Sequence, residues 1–183
     1  MKRITFLFML SAFLVIIQGT VLAGSYKNDP AGFRDMRWGQ DFSTVADQMK
    51  SLAVKDSDTS DIEKFTKNQD NLTIGDAGLK KIVYCFWQGK FIGVRLETDN
   101  YHDYLALRAA VNDKFGLGYQ QAPFIEHYTW EGTNSNLMLE WTNKGQGVFA
   151  MESVELNKQY KQSRKTNYAK TKTTAATGAR GSF

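Results

Sequence analysis

Few residues in this chain have the types and spacing needed for chemistry. There are two histidines, His102 and His127, and one cysteine, Cys85. His102 falls in the first turn of an expected helix and His127 alternates with Glu126 and Tyr128 in an expected strand. Neither pattern gives the H-x-x-x-H spacing that places two imidazoles on one metal. Cys85 and His127 could act as thiolate and base only if the fold brought them together, and nothing local in the sequence does so. Cys85 sits in a run that is apolar on both faces, which suits a buried, inert thiol. Asp56-x-Asp58-x-Ser60 resembles the start of a calcium loop. Asp61 stands where that loop needs glycine, and Lys67 where it needs a bidentate glutamate. Gly116-Leu117-Gly118 follows a helix instead of opening one, the wrong context for phosphate. No catalytic residue, metal ligand or cofactor site is assigned from the sequence.

Around these residues the chain is organised on Leu79–Glu97, which reads as two strands, 80–87 and 90–97, joined by Gln88-Gly89. Ile92, Val94 and Leu96 alternate with more polar neighbours, whereas the first strand is apolar on both faces and is expected to be central. Upstream, Asp41 is placed to cap a helix with the stripe Phe42, Val45, Met49 and Leu52. Trp38 is expected to pack at its entry. Short strands are expected near 62–67 and 72–74. Asn100 caps a second helix, 101–115, with buried stripe Tyr104, Leu107, Val111 and Phe115 and a stop at Gly116. Strands at 124–131, 136–142 and 147–156 complete the pattern.

The termini differ in kind. Lys2-Arg3, an apolar run from Ile4 to Ile17 and Val21-Leu22-Ala23 have the layout of a secretory signal peptide cleaved after Ala23. The run is short of the ~20 residues of a membrane-spanning helix, so residues 24–183 are expected to be periplasmic or secreted, without a transmembrane helix. A lone cysteine excludes an internal disulfide. Between Gly24 and Asn157 there are 14 Lys and Arg against 19 Asp and Glu. The segment from Lys158 on carries seven basic residues and no acidic one. The domain organisation expected is therefore a signal segment (1–23), one domain (24–157) and a basic tail (158–183). Helix is compatible with the tail's first two turns and disorder is expected beyond them.

Trp87-x-Gly89 recurs as Trp130-x-Gly132, and Leu96-Glu97 as Leu139-Glu140, both at an offset of 43 residues. This suggests a tandem unit of one helix and about three strands. The expected fold is α+β: a two-layer sandwich in which an antiparallel sheet of about six strands carries both helices on one face. The Gly-Phe-x-x-x-x-Trp-Gly start, Gly32 to Gly39, resembles small exported bacterial proteins of unknown function. The tandem outline is similar to the beta-lactamase-inhibitor-like fold, also used by small outer-membrane assembly lipoproteins, although the lipid-attachment cysteine of those lipoproteins is missing here.

Four tryptophans and eight tyrosines favour binding over catalysis. A sheet face around Trp87, Arg95, Tyr128 and Trp130 is the expected contact surface, and another envelope protein the expected partner. The basic tail would be drawn to anionic surfaces, and the exported address argues against nucleic acid. The competing class is a small-ligand protein or enzyme with a pocket between helices and sheet.

Overall fold

The Gln88-Gly89 turn fixes the centre of the molecule. Both residues take positive φ, 51° and 70°, as the tightest hairpin turns require, and they join the two central strands. The structure is a computed structural model that describes residues 26–52 and 61–178, with side chains as far as residue 168. The expected signal segment and the Asp56-x-Asp58 stretch lie outside the described residues.

In chain order the strands are β1 (Gly32–Phe33), β2 (Met36–Arg37), β3 (Met49–Ser51), β4 (Ile62–Lys67), β5 (Thr73–Ile74), β6 (Ala77–Gly78), β7 (Lys81–Trp87) and β8 (Lys90–Thr98). Helix α1 (Tyr101–Phe115) follows, then β9 (Tyr119–Gln120), β10 (His127–Glu131), β11 (Ser135–Trp141), β12 (Gly147–Ser153) and helix α2 (Val154–Gly178). Eight strands, not six, form the main sheet, in the order β3-β4-β7-β8-β12-β11-β10-β9. Every pairing in it is antiparallel. The fold is thus α+β, with two four-stranded meanders meeting where β8 pairs with β12. The symmetric counterpart of β7–β8 in that order is β11–β12. The 43-residue offset instead aligns β7–β8 with β10–β11, so its matched residues occupy non-equivalent positions.

Helix α1 forms where the sequence places it. The Asn100 side chain accepts a hydrogen bond from the Asp103 amide at 2.9 Å, and Tyr104, Leu107, Val111 and Phe115 are buried. They cover the sheet face made by Ile82, Tyr84, Phe86, Leu96, Leu139 and Phe149, the main core. Alternate residues of β7 point the other way. There Trp87 and Cys85, with Ile92, pack under Leu156 and Tyr160 of α2. The two helices therefore lie on opposite faces, not on one.

The helix expected from Asp41 does not form. Phe42–Thr44 and Ala46–Gln48 make two 3-10 turns, and Met49–Ser51 pairs with β4 as the edge strand. The Asp41 carboxylate makes no cap. It pairs with Lys90 Nζ at 2.7 Å, while the Phe42 amide donates to the Gly89 carbonyl at 2.8 Å. Phe42 packs on Phe65 and Phe86. These tertiary bonds pin the segment to the central hairpin and override a weak local preference. Trp38 is a packing residue although no helix follows it: its ring lies 5.0 Å from that of Phe91, and its Nε1 donates to Ser135 Oγ at 2.7 Å.

The tail also departs from expectation. It is helical from Val154 to Gly178, and Tyr160 is buried, so the domain extends past Asn157. The Ser153 hydroxyl accepts from the Leu156 amide at 3.3 Å at the helix start, and packing of Leu156 and Tyr160 against the sheet anchors the first turns. Among the described residues, no helix is long and apolar enough to cross a membrane.

Candidate interaction site

Of the five most exposed large apolar side chains among the described residues, four fall in one short stretch after α1 and the fifth is Tyr168 on α2. Gly116, at φ 84°, turns the chain out of the helix in a conformation that favours glycine. The chain then forms the two-residue edge strand β9 and returns to β10 through Gln121–Glu126. Within it Leu117 is 87% exposed, Tyr119 70%, Phe124 99% and Ile125 59%. No charged residue occurs from Phe115 to Ile125. Large apolar side chains held in water at this density mark interaction surfaces.

The loop is fixed at several points although its side chains face outward. At its start, Trp130 Nε1 donates to the Gly116 carbonyl at 2.9 Å. Trp130 also lies against Gly118, where an added Cβ would stand 2.7 Å from its ring, so only glycine fits. In the middle, β9 pairs with β10, and Gln120 Nε2 donates to the Ile125 carbonyl at 2.8 Å. The Ile125 amide closes a turn on the Ala122 carbonyl at 3.1 Å. At its end, the Trp141 amide donates to the Glu126 carbonyl at 2.9 Å.

The Glu126 carboxylate is the second anchor. Its Oε2 accepts from Tyr104 Oη at 2.9 Å, from Arg108 Nη1 at 2.6 Å and from Tyr128 Oη at 3.2 Å. Burial alone would raise its pKa. The hydrogen bonds from Tyr104 and Arg108, with the guanidinium charge, outweigh burial and hold the carboxyl below its ordinary value. Burial, then the hydrogen bond to Glu126, pushes the Tyr104 phenol well above its ordinary range. The cluster therefore holds one carboxylate, one guanidinium and the neutral phenol of Tyr104 at neutral pH. Its donors converge on an internal acceptor, which suits holding the loop in place.

The four residues expected to form the contact surface are not brought together. Trp87, 7% exposed, is packed edge-on against Tyr160 on the α2 side. Arg95 is on that same side, with Nε donating to Glu97 Oε1 at 3.0 Å. Trp130, 3% exposed, and Tyr128 point to the α1 side. No aromatic surface joins them. Trp130 and Tyr128 hold the two ends of the exposed loop, so they support the candidate site from within. Trp87 and Arg95 take no part in it.

The residues considered for chemistry are also separated. Cys85 and His127 lie on strands four places apart in the sheet order, about 19 Å at the usual strand spacing, which excludes a thiolate–base pair. Burial raises the Cys85 thiol to about 11, so it is protonated at neutral pH. His127 Nδ1 lies 3.4 Å from Glu140 Oε2, and His102 is exposed beside Asp103. Among the described residues, no group of three or more His, Cys, Asp or Glu gathers as a metal site.

Sequence reading missed the loop because Phe124–Glu126 continued the alternation of β10 and was assigned to that strand. The available signal was a charge-free stretch carrying four large apolar residues in no regular period. Comparison with protein-family models, curated proteins and solved structures finds no match to this chain.

Proposed function

We propose that the chain is an exported, non-enzymatic binding protein that docks on another envelope protein through the loop Leu117–Ile125. The observation that carries the proposal is the near-complete exposure of Leu117 and Phe124 on a loop whose backbone is pinned by Trp130, β10 and Trp141. A loop fixed before contact loses little conformational entropy on binding. Because the loop has no charge of its own, its partner site must be apolar, and burial of apolar area supplies the affinity. The exported address rests on the Lys2-Arg3, Ile4–Ile17 and Ala23 pattern. The free sheet edge at β9 and the loop that follows it support the same reading.

The test compares retention of an envelope partner by the wild-type protein, by Leu117→Ser/Phe124→Ser and by a form lacking residues 162–183. Loss in the loop variant, with retention by the shortened form and in 0.5 M salt (about a 4 Å screening length), is the expected result. Retention by the loop variant, or capture that disappears with the basic helix or in salt, would place the function on charge and refute the loop as the contact.

A further inference from the structure

A second site lies beside the start of the loop but reaches inward, between α1 and the sheet. A cavity of about 130 Å³ opens there beside the β1–β2 hairpin. Leu96, Phe149 and Met151 form its floor, Val111 and Phe115 of α1 one wall, and Phe33 another. All six side chains are buried core residues, and the exposed Arg34 and Lys114 also line the space, so it is a partly open cleft that reaches into the main packing. Interiors pack at near-crystalline density. An apolar cavity of comparable size, about 150 Å³, stays dry and takes up benzene.

The mouth is polar and cationic. Arg34 and Lys114 both line it. Arg34 is held rigid and largely neutralised: Nη1 contacts Asp70 Oδ1 at 2.6 Å, and Nη2 donates to the Asn71 and Thr73 carbonyls. Lys114, in the last turn of α1, has no ion-pair partner among the described residues. The end of a helix normally repels anions through its free carbonyls. Here the Lys114 carbonyl accepts from Asn28 Nδ2 at 2.7 Å and the Gly116 carbonyl from Trp130 Nε1, which weakens that repulsion. The small side chain of Ala110, on the same helix as Lys114, also lines the cavity.

We infer that this cavity binds a small amphipathic carboxylate, an aryl or branched hydrocarbon body of about six to eight carbons that fills the apolar space while its carboxylate meets Lys114. The site is independent of the loop contact, so either can fail without the other.

The test is calorimetric titration of the protein with phenylacetate, phenylacetamide and acetate, repeated on Lys114→Gln and Ala110→Leu with circular dichroism to verify their folds. Saturable phenylacetate binding is expected, about tenfold weaker for the neutral amide because the charge-assisted contact is lost, and absent for acetate. Lys114→Gln should weaken phenylacetate by a similar factor and leave the amide unchanged. Ala110→Leu, at a half-buried position, should block both. Lack of saturable phenylacetate binding by the folded wild-type protein overturns the inference. So does equal affinity for the amide, or undiminished phenylacetate binding by folded Lys114→Gln.

Discussion

Removing the Tyr104 hydroxyl gives the sharpest view of how the loop is held. Tyr104 is fully buried, and its hydroxyl donates to Glu126 Oε2 at 2.9 Å. A hydrogen bond to a charged group contributes about 1.5–3 kcal/mol. Glu126 is 30% exposed and keeps the donors of Arg108 and Tyr128, so water and two partners offset part of the loss. The expected cost of Tyr104→Phe is therefore at the low end, about 1.5 kcal/mol. Glu126→Gln deprives Arg108 of its carboxylate and should cost a similar amount. The two changes share one contact, so a double-mutant cycle should show coupling of about 1 kcal/mol at pH 7. Acidification supplies the sign. The folded pKa of Glu126 lies below its ordinary value of 4.5, so its contribution is complete above that value and is lost as pH falls through the lower folded pKa. Urea unfolding of the four proteins at pH 7 and pH 3 measures both effects. Coupling near zero at pH 7, or equal acid sensitivity of wild type and Glu126→Gln, would refute the network as the anchor of the loop.

Three further outcomes follow from particular contacts. Gly118→Ala would drive a Cβ to 2.7 Å from the Trp130 ring and should cost about 1–3 kcal/mol in urea unfolding, the usual penalty of overpacking. Tyr160 has a buried hydroxyl without a hydrogen-bond partner among the described residues, so Tyr160→Phe should raise stability by about 1 kcal/mol instead of lowering it. With its thiol raised to about 11 by burial, Cys85 should react with iodoacetamide at pH 8 far more slowly in the native protein than in 6 M urea, followed by mass spectrometry.

The central hairpin, α1 and the strands from β10 to β12 were legible because each signal is local. Period-2 alternation marks the strands, Gln88-Gly89 demands positive φ, and Asn100 caps a stripe of four buried residues. The 3-10 turns after Asp41 were not legible, because the Lys90 and Gly89 contacts that select them are distant in sequence. The anchoring of α2 was hidden for a similar reason. Leu156 and Tyr160 are too few to mark an amphipathic helix until Trp87 and Ile92 are seen beneath them. Of the candidate site, the sequence marks Tyr128 and Trp130 only as part of a contact surface. Their role is to hold outward a loop whose own residues carry no periodic signal. Burial separates the two cases, and sequence does not print burial.

Contact between the loop and its proposed partner is reported directly by a photoreactive residue placed in the loop. A benzophenone amino acid at Phe124, with a control at the exposed Tyr168 on α2, would be irradiated in cells carrying the full-length chain. A discrete crosslinked protein from position 124, lost when Leu117→Ser is added and missing from position 168, is the result the account predicts. Crosslinking from position 168 alone, or none from position 124 in protein that is folded and exported, would contradict it.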